Sequence, residues 1–514
     1  MNASRSVTVP LTWPKAALFM IAAVVCFHAA YWRTGFAPLA LAIVGYVICL
    51  VQLARLKTTR RAFYAGLMTA LLCVGPQLFF FWNIFGPAAI ALWAILALWI
   101  AAFTGMASAA LKRFGPRWTT ILIPFLWMGL EYSRSELYYL KFSWMNVGYA
   151  FSDWQLFPFH IFGIYGFGFL AAVCGAFFLI FRQLQATFAT IALIMAIAFL
   201  KPGLSRPDHL QQIHIAGVQM EFPVEADIPH ALDALLAEHP NADVLVLSEY
   251  TLLSTEYTQG GPIPMALKNW CRKNHHYLVV GGKDPAPKNN FYNTAFVVGT
   301  NGEIVFRQVK SVPIQFFKDG LPAPKQALWD SPWGKIGFCV CYDLSYTRVI
   351  DRLVKMGAQL IIVPTMDVID WGERQHQLHA LIAPVRAAEY HVPIFRLASS
   401  GISQAVSADG SVQATAPLGG EGKSLFATLH FSQRTSVPWD RYFAPLAVAI
   451  TGIVLLILCM PDRRRKTPSI TEPPELADQP AVHSEVSCSL HIPKGFRHSA
   501  QRCEERATLG QSPY

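Results

Sequence analysis

Apolar residues occur in long runs through the first 200 residues and again after residue 440, whereas the chain between them mixes short apolar and polar stretches. A helix that crosses a bilayer needs about 20 apolar residues. Runs near that length lie at residues 15–32, 36–54, 62–84, 87–111, 118–134, 156–181, 185–200 and 442–460. The pattern predicts a multi-pass α-helical membrane domain of about eight spans.

The central stretch has the pattern of an α/β domain. Short β-rich runs such as DVLVLSE, NTAFVVG, KIGFCVC and QLIIVP alternate with helical and loop stretches. Strands that are apolar on both faces are typical of a sheet covered by helices or by a second sheet. The predicted organisation is a membrane domain at 1–201, an α/β domain at 202–441, a final span at 442–460 and a disordered tail at 461–514, where Pro, Ser and charged residues replace the apolar pattern.

Basic residues cluster after every second apolar run. They are Lys57, Arg60 and Arg61 after the second run, Lys112, Arg113 and Arg117 after the fourth, Arg182 after the sixth and Arg463–Lys466 after the eighth. Loops rich in Lys and Arg remain in the cytoplasm. The tail is therefore predicted to be cytoplasmic and residues 202–441 to lie on the outer side of the membrane.

Composition agrees with a membrane protein. Only 14% of the residues are charged, against about a quarter in soluble globular proteins. The net charge of +10 could suggest nucleic acid, but the basic residues lie at the ends of apolar runs rather than along one soluble face. The cysteines show no paired zinc-ligand spacing, and a disulfide framework is not indicated.

One predicted outer loop, at residues 131–155, is rich in Trp, Tyr and polar residues. Two interpretations remain open from composition. Aromatic residues commonly form a belt at the level of the lipid headgroups. The alternative is that this loop forms a wall of an active site that faces lipid.

Three polar residues stand where predicted buried strands end. Glu249 follows DVLVLS, Lys310 follows EIVFRQV, and Cys341 ends KIGFCVC. A carboxylate can take the thiol proton, and an ammonium group lowers a thiol pKa and stabilises an oxyanion. Each residue alone also has a structural interpretation, because buried cysteines are usually inert and single charges at strand ends are usually solvated.

The surrounding motifs resemble those of a known family. Glu, Lys and Cys in this order, with GFCVCYD, GAQLIIVPT and FYNTAFVV, are similar to the carbon–nitrogen hydrolase (nitrilase) superfamily. The rest of the chain resembles the apolipoprotein N-acyltransferase family within it, over about residues 30–460. The matching pieces are Pro124, Trp127, Glu131 and Arg134, then FSWMNVGY, GIYG, Gln375-His376, RAAE at 386–389 and RLASSGIS.

The resemblance implies an αββα sandwich and a two-step acyl transfer. An acyl chain would pass from a phospholipid to Cys341 as a thioester, and then to the α-amino group of the S-diacylglyceryl cysteine at the N-terminus of an apolipoprotein. Glu249 would be the general base and Lys310 the oxyanion-stabilising cation. Tyr342, Asp343, Trp371, Gln375, His376, Arg386 and Glu389 would support the substrate site.

The resemblance also implies a setting for the enzyme. It would be a multi-pass protein of the bacterial inner membrane, with its catalytic domain on the periplasmic side. No metal or diffusible cofactor and no nucleic acid would take part, and the oligomeric state is left open.

The chain departs from the family pattern in loops that would line the mouth of the site. The segment that begins Lys310-Ser-Val-Pro-Ile-Gln is two residues shorter than usual and has no carboxylate where the family has a second Glu. The tryptophan usual after the first strand is absent from VQMEFPVEADIP, and Ser399 or Ser400 replaces an Asn. These departures bear on the identity of the acceptor more than on the assignment of Cys341 as the nucleophile.

Two rival functions remain. A membrane-tethered amidase, or an acyltransferase with another amine acceptor, would use the same three residues. A non-enzymatic membrane protein would not need them. A transporter with a buried ion relay is poorly supported, because charged residues are sparse within the apolar runs.

Overall fold

The structure is a computed structural model that describes residues 10–32, 36–154, 158–180, 211–253 and 261–461. The predicted seventh span, at 185–200, and the predicted disordered tail beyond Pro461 lie outside the described residues.

The first part of the chain is helical. Its helices are α1 (Trp13–Ala30), α2 (Ala42–Leu53), α3 (Thr59–Gln77), α4 (Phe80–Phe85), α5 (Ala88–Tyr132) and α6 (Phe159–Ile180), with a short 3-10 helix (Ala37–Leu41) before α2. Among the described residues, four stretches are long and apolar enough to cross a membrane: Trp13–Ala30, Ala88–Leu137, Phe159–Leu179 and Asp440–Cys459. The count of about eight spans stays a prediction.

Glycines break two of these helices. The long helix α5 is kinked at Gly115, where φ is +79°, so the separately predicted runs 87–111 and 118–134 are its two halves. Helix α6 is kinked at Gly163, where φ is +64°. Residues with a Cβ are strained at such angles, whereas glycine adopts them freely.

The last helix, α12 (Asp440–Cys459), packs against α5 through small residues. A Cβ at Gly129 would lie 2.6 Å from the carbonyl oxygen of Ala447. Small residues let helix backbones approach closely within a membrane. This contact brings the end of the α/β domain back to the helical part of the chain.

The α/β domain contains two six-stranded sheets, each written in spatial order. The first sheet consists of β12 (Ser424–His430), β1 (Gln212–Val218), β2 (Val244–Val246), β3 (Tyr277–Ala286), β4 (Asn290–Val298) and β5 (Ile304–Val309). The second consists of β11 (Val412–Ala416), β10 (Ser403–Val406), β9 (Ile394–Ala398), β8 (Leu360–Thr365), β7 (Gly334–Phe338) and β6 (Trp329–Ser331). The predicted α/β domain is confirmed.

Alternation along β2 shows how the layers form. Val244 and Val246 belong to a core shared with the second sheet, whereas Leu245 between them belongs to a separate core. Successive strand residues point to opposite faces, so the sheets pack on each other and helices cover the outer faces. Those helices are α7 (Ile228–Glu238) and α8 (Met265–Asn274) on the first sheet, and α9 (Thr347–Lys355) and α11 (Ile382–Tyr390) on the second, with α10 (Glu373–Ala380) leading into α11.

Candidate active site

The turn that carries Cys341 is tightly held. Cys341 begins a 3-10 helix, Cys341–Ser345, three residues after β7, and its φ is +51°. The carboxylate of Asp343 accepts N–H bonds from Ser311 and Val312 at 2.8 Å each and from Val340 at 3.3 Å. Asp343 therefore joins the Cys341 turn (residues 341–345) to the segment after Lys310. Burial raises the pKa of Asp343 to about 6.

Glu249 and Lys310 meet beside this turn. The Lys310 ammonium donates to Glu249 Oε1 at 2.9 Å, and both side chains are about 1% exposed. Asn293 Nδ2 donates to the same oxygen at 2.6 Å, and Met366 N donates to Oε2 at 2.8 Å. The Cys341 thiol donates to the Met366 carbonyl at 3.7 Å. The structure thus brings the three predicted residues together, although they come from strands of both sheets.

A second carboxylate also contacts Lys310. The sequence did not predict this contact. Asp319 Oδ2 lies 2.8 Å from Lys310 Nζ. Asp319 also accepts from Tyr250 OH at 2.7 Å and from Ile314 N at 2.8 Å. The chain has no carboxylate at the position where the family has its second Glu. The shortened segment instead brings Asp319, nine positions after Lys310, to the lysine.

The charges in this cluster oppose one another. Burial lowers the pKa of Lys310, but Asp319 and Glu249 outweigh it and hold that pKa well above its usual value. Burial, and then the Glu249 carboxylate, raise the pKa of the Cys341 thiol well above its usual value, although Lys310 acts in the opposite sense. The expected lowering of the thiol pKa by the lysine is therefore outweighed, and the resting side chain is a thiol.

An apolar cavity opens over Cys341. Its empty volume is about 860 Å³ when the open space at its mouth is counted. Its lining combines residues of α4 and α5, the loop after α5, the segment after Lys310, the Cys341 turn and the chain around α10. These are Phe80, Phe81, Ile84, Phe85, Leu92, Ile95 and Leu96; Leu140, Lys141, Phe142 and Trp144; Ile314, Gln315, Phe316 and Phe317; Cys341 and Tyr342; and Asp367, Trp371, Gln375 and His379.

The aromatic loop at 131–155 contributes directly to this wall. Trp144 donates through Nε1 to Ser345 Oγ at 3.0 Å, at the end of the Cys341 turn. Glu136 accepts from Thr347 N at 2.9 Å, where α9 begins. Of the two interpretations of this loop, the structure supports a wall of the site, because four of its residues line the cavity that contains Cys341.

The predicted supporting residues divide into two groups. Tyr342, Trp371 and Gln375 line the cavity. Within the described part of the chain, Asp343, His376, Arg386 and Glu389 are absent from that lining and are buried behind it.

Two members of the second group hold the turn rather than contact the cavity. Arg386 donates to the carbonyls of Leu344 and Ser345 at 3.1 and 2.7 Å. Glu389 accepts from Arg386 at 2.5 Å and from Ile164 N, in the kink of α6, at 2.9 Å. Their contacts are thus structural.

The sequence reasoning missed Asp367 and His379, which line the cavity beside Cys341. Asp367 lies two residues after the end of β8. A polar residue just beyond a buried strand was therefore a signal by which the sequence could have indicated Asp367 as a site residue. His379 lies on α10 without such a signal. Among the described residues, no group of three or more His, Cys, Asp or Glu is placed to hold a metal ion.

Comparisons with known proteins agree with this architecture. The family model for the apolipoprotein N-acyltransferase N-terminal domain matches residues 22–177, and that for carbon–nitrogen hydrolases matches residues 208–438. An apolipoprotein N-acyltransferase of Geobacter metallireducens is 22% identical over 75% of this chain and 84% of its own length. One of Shewanella oneidensis is 25% identical over 64% of this chain and 73% of its own length.

Among solved structures, a nitrilase-superfamily protein of Saccharomyces cerevisiae is 19% identical and aligns with 50% of this chain and 97% of its own, with a TM-score of 0.36. The two family models account for the helical part and for the α/β domain in the order in which this chain carries them. The chain belongs to the apolipoprotein N-acyltransferase family of the nitrilase superfamily.

Proposed function

We propose that this protein transfers an acyl chain from a phospholipid, through a thioester on Cys341, to the α-amino group of the N-terminal S-diacylglyceryl cysteine of apolipoproteins. The observation that carries the proposal is the position of Cys341. Its thiol lies at a cavity walled by aromatic and aliphatic residues of α4 and α5, next to the buried Glu249–Lys310 pair. An apolar cavity of this kind suits an acyl chain.

In the first half-reaction, Glu249 takes the thiol proton as Sγ attacks the ester carbonyl carbon. A base is needed because the resting group is a thiol rather than a thiolate. The oxyanion of the tetrahedral intermediate forms beside the Lys310 ammonium, which stabilises its charge. Collapse breaks the ester C–O bond, and the leaving alkoxide takes the proton from Glu249 and departs as a lysophospholipid.

In the second half-reaction, the neutral amine of the acceptor attacks the thioester carbon. Glu249 takes a proton from the attacking nitrogen and returns it to Sγ when the C–S bond breaks. The product is an amide, and the free thiol is restored. Lys310 stabilises the oxyanion in both steps, so one site serves both halves of the reaction.

The basic clusters favour an outer location for this site. With residues 202–441 outside the cytoplasm, the donor would be a phospholipid of the outer leaflet of the bacterial inner membrane. The acceptor would be an exported lipoprotein. Both proposals rest on the charge pattern and on the family names of the relatives.

The test is intact-mass analysis after incubation of the detergent-solubilised protein with phospholipid. We expect a mass increase equal to one acyl group that hydroxylamine removes, and no increase for Cys341→Ser. Cys339→Ala is the matched control, because Cys339 is buried two residues away and, among the described residues, is absent from the cavity lining. Acylation of the Cys341→Ser protein would refute the proposal.

A second measurement tests the acceptor. A diacylglyceryl-cysteine peptide with a free N-terminus should discharge the acyl-enzyme and gain the acyl group as an amide. An acyl-enzyme that releases only fatty acid in its presence would instead assign the chain to the hydrolases.

A further inference from the structure

A buried histidine on the cavity wall has no part in the mechanism above. His379 is 1% exposed, and its ring lines the cavity that also contains Cys341. The indole of Trp144 stacks on it, with ring centroids 4.7 Å apart and an interplanar angle of 17°. The ring is therefore fixed in orientation, with only its edges free to meet polar groups.

One edge of the ring is held by charge. Nδ1 lies 2.7 Å from Asp367 Oδ1, and Asp367 is also bonded by Arg396 and by Gln375 Nε2, the latter at 3.0 Å. Burial acts to raise the pKa of Asp367, but His379 and then Arg396 outweigh it and hold that pKa below its usual value. Nδ1 also lies 2.9 Å from Arg396 Nη2, but its contact with Asp367 is the shorter of the two. A carboxylate is acceptor-only, so we assign the ring proton to Nδ1, which donates it to Asp367.

The other nitrogen, Nε2, is then an acceptor with a free lone pair. It has no hydrogen-bond partner among the residues that the structure describes. Burial lowers the pKa of His379 to about 4, so the ring stays neutral and the lone pair stays available at neutral pH. A buried acceptor without a hydrogen-bond partner costs free energy of folding. At a substrate cavity, a donor group on the bound substrate would supply the missing partner.

The first half-reaction brings no such donor from its reacting groups. An ester and an acyl chain carry no N–H or O–H, and the thiol proton goes to Glu249. The second half-reaction does, because its nucleophile is a primary amine with more than one N–H. One N–H must face Glu249, and another needs an acceptor if the amine is to be held in one orientation.

We propose that His379 is a positioning residue for the acceptor: its Nε2 accepts a hydrogen bond from the α-amine that attacks the thioester on Cys341. The inference rests on the proposed function and deepens it. Asp367 and Arg396 set the tautomer, and Trp144 sets the plane of the ring. An aligned amine attacks faster than a freely rotating one.

Two substitutions distinguish the role of Nδ1 from the role of Nε2. His379→Asn keeps an amide N–H near the position of Nδ1, facing Asp367, and removes the acceptor at Nε2. His379→Gln places an amide oxygen near the position of Nε2. His230→Asn, on the exposed face of α7, is the matched control. Each variant is loaded with phospholipid, and the rates of thioester formation and of transfer to a diacylglyceryl-cysteine peptide are measured separately.

We expect His379→Asn to form the thioester within about twofold of the wild-type rate and to transfer it about 10- to 100-fold more slowly, as for the loss of one hydrogen bond to a charged or reacting group. The Michaelis constant for the peptide should rise, and the acyl-enzyme should accumulate. His379→Gln should recover part of the transfer rate, and His230→Asn should match wild type.

Three results would overturn the inference. The first is transfer by His379→Asn at the wild-type rate. The second is an equal loss of rate in both half-reactions of His379→Asn. The third is slower thioester formation by His379→Asn with phosphatidylethanolamine as donor but not with phosphatidylglycerol. The last would assign Nε2 to the amine of a donor headgroup. Failure of the wild-type protein to form a thioester would instead refute the proposed function, so the two failures are distinguishable.

Discussion

At the scale of residues, the site is a buried charge cluster around one lysine. Lys310 contacts Glu249 at 2.9 Å and Asp319 at 2.8 Å, and the Cys341 thiol lies beside them. Removing one partner of a buried ion pair normally leaves an uncompensated charge. Here the carboxylates of Glu249 and Asp319 share the Lys310 ammonium, so the cluster carries one excess negative charge while the thiol is neutral. Loss of either acid therefore leaves one carboxylate paired with one ammonium.

The raised thiol pKa gives a test of Glu249. Glu249→Gln removes a charge that raises the pKa of Cys341 while Lys310, which lowers it, remains. The thiolate population at a given pH should therefore increase, and alkylation of Cys341 by a small reagent should shift to lower pH. Acyl transfer should nevertheless fall about 100-fold or more, because the base is lost.

Mass analysis of the Cys341 peptide after alkylation at several pH values measures this shift. Glu303→Gln, on the exposed turn before β5, removes the same charge far from the thiol and should leave the profile unchanged. A Glu249→Gln profile displaced to higher pH would contradict the assigned role of Glu249.

Asp319 offers a second test at this scale. Asp319→Asn should slow thioester formation about tenfold or more, because Lys310 loses one of the two carboxylates that position its ammonium. The thermal unfolding midpoint should change little, since the remaining pair is balanced. Asp330→Asn, on an exposed position of β6, is the control. Wild-type acylation by Asp319→Asn would show that Glu249 alone positions the lysine.

At the scale of elements, the kink in α6 joins the helical part to the α/β domain. Opening the helix at Gly163 frees two backbone N–H groups: Ile164 N donates to Glu389 and Tyr165 N to Asp440, both at 2.9 Å. Arg441 bonds Glu389 at 2.6 Å and Asp440 at 2.6 Å. Buried backbone donors need partners, and these acids from α11 and α12 supply them.

Gly163→Ala tests this junction. The new Cβ would lie 2.1 Å from the Asp440 carboxylate, at a φ that L-residues rarely adopt. We expect the protein to lose at least about 2 kcal/mol of stability, measured as a lower unfolding midpoint in detergent. Gly75→Ala is the control, because nothing lies within 4 Å of its Cβ in α3 and alanine favours helices. Equal midpoints for the two variants would refute the proposed role of the kink.

At the scale of the whole molecule, the helical part and the α/β domain build the cavity together. Phe80 and Phe85 come from α4, Phe142 and Trp144 from the loop after α5, and Phe316 from the segment after Lys310. Phe85 packs against Phe316 with ring centroids 6.0 Å apart. The lining of the cavity therefore comes from both parts of the chain.

The predicted topology has a direct test. In intact spheroplasts, an impermeant thiol reagent should label a cysteine placed at Lys288, on the exposed turn between β3 and β4. A cysteine placed at Glu475, in the predicted tail, should be protected until the membrane is opened. The reason is the positive-inside rule applied to the basic clusters. Labelling in the reverse order would place the site in the cytoplasm and contradict the lipoprotein proposal.

Features that depend on local pattern could be predicted from the sequence. Apolar runs predicted the helices, and alternating and continuous apolar runs predicted the strands. Polar residues at strand ends made Glu249, Lys310 and Cys341 candidates, and the family resemblance supplied their expected roles. These features follow from the fixed periodicities of helices and strands and need no knowledge of which elements meet.

The three-dimensional structure was needed to show which distant residues share the site. Asp319 reaches Lys310 because a shortened segment folds back, and His379 meets Asp367 and Trp144 from three separate parts of the chain. It likewise showed that four residues of the loop at 131–155 line the cavity. Periodicity records which face of an element is apolar, whereas the choice of neighbours depends on packing and on the pairing of buried charges, which no local stretch of sequence contains.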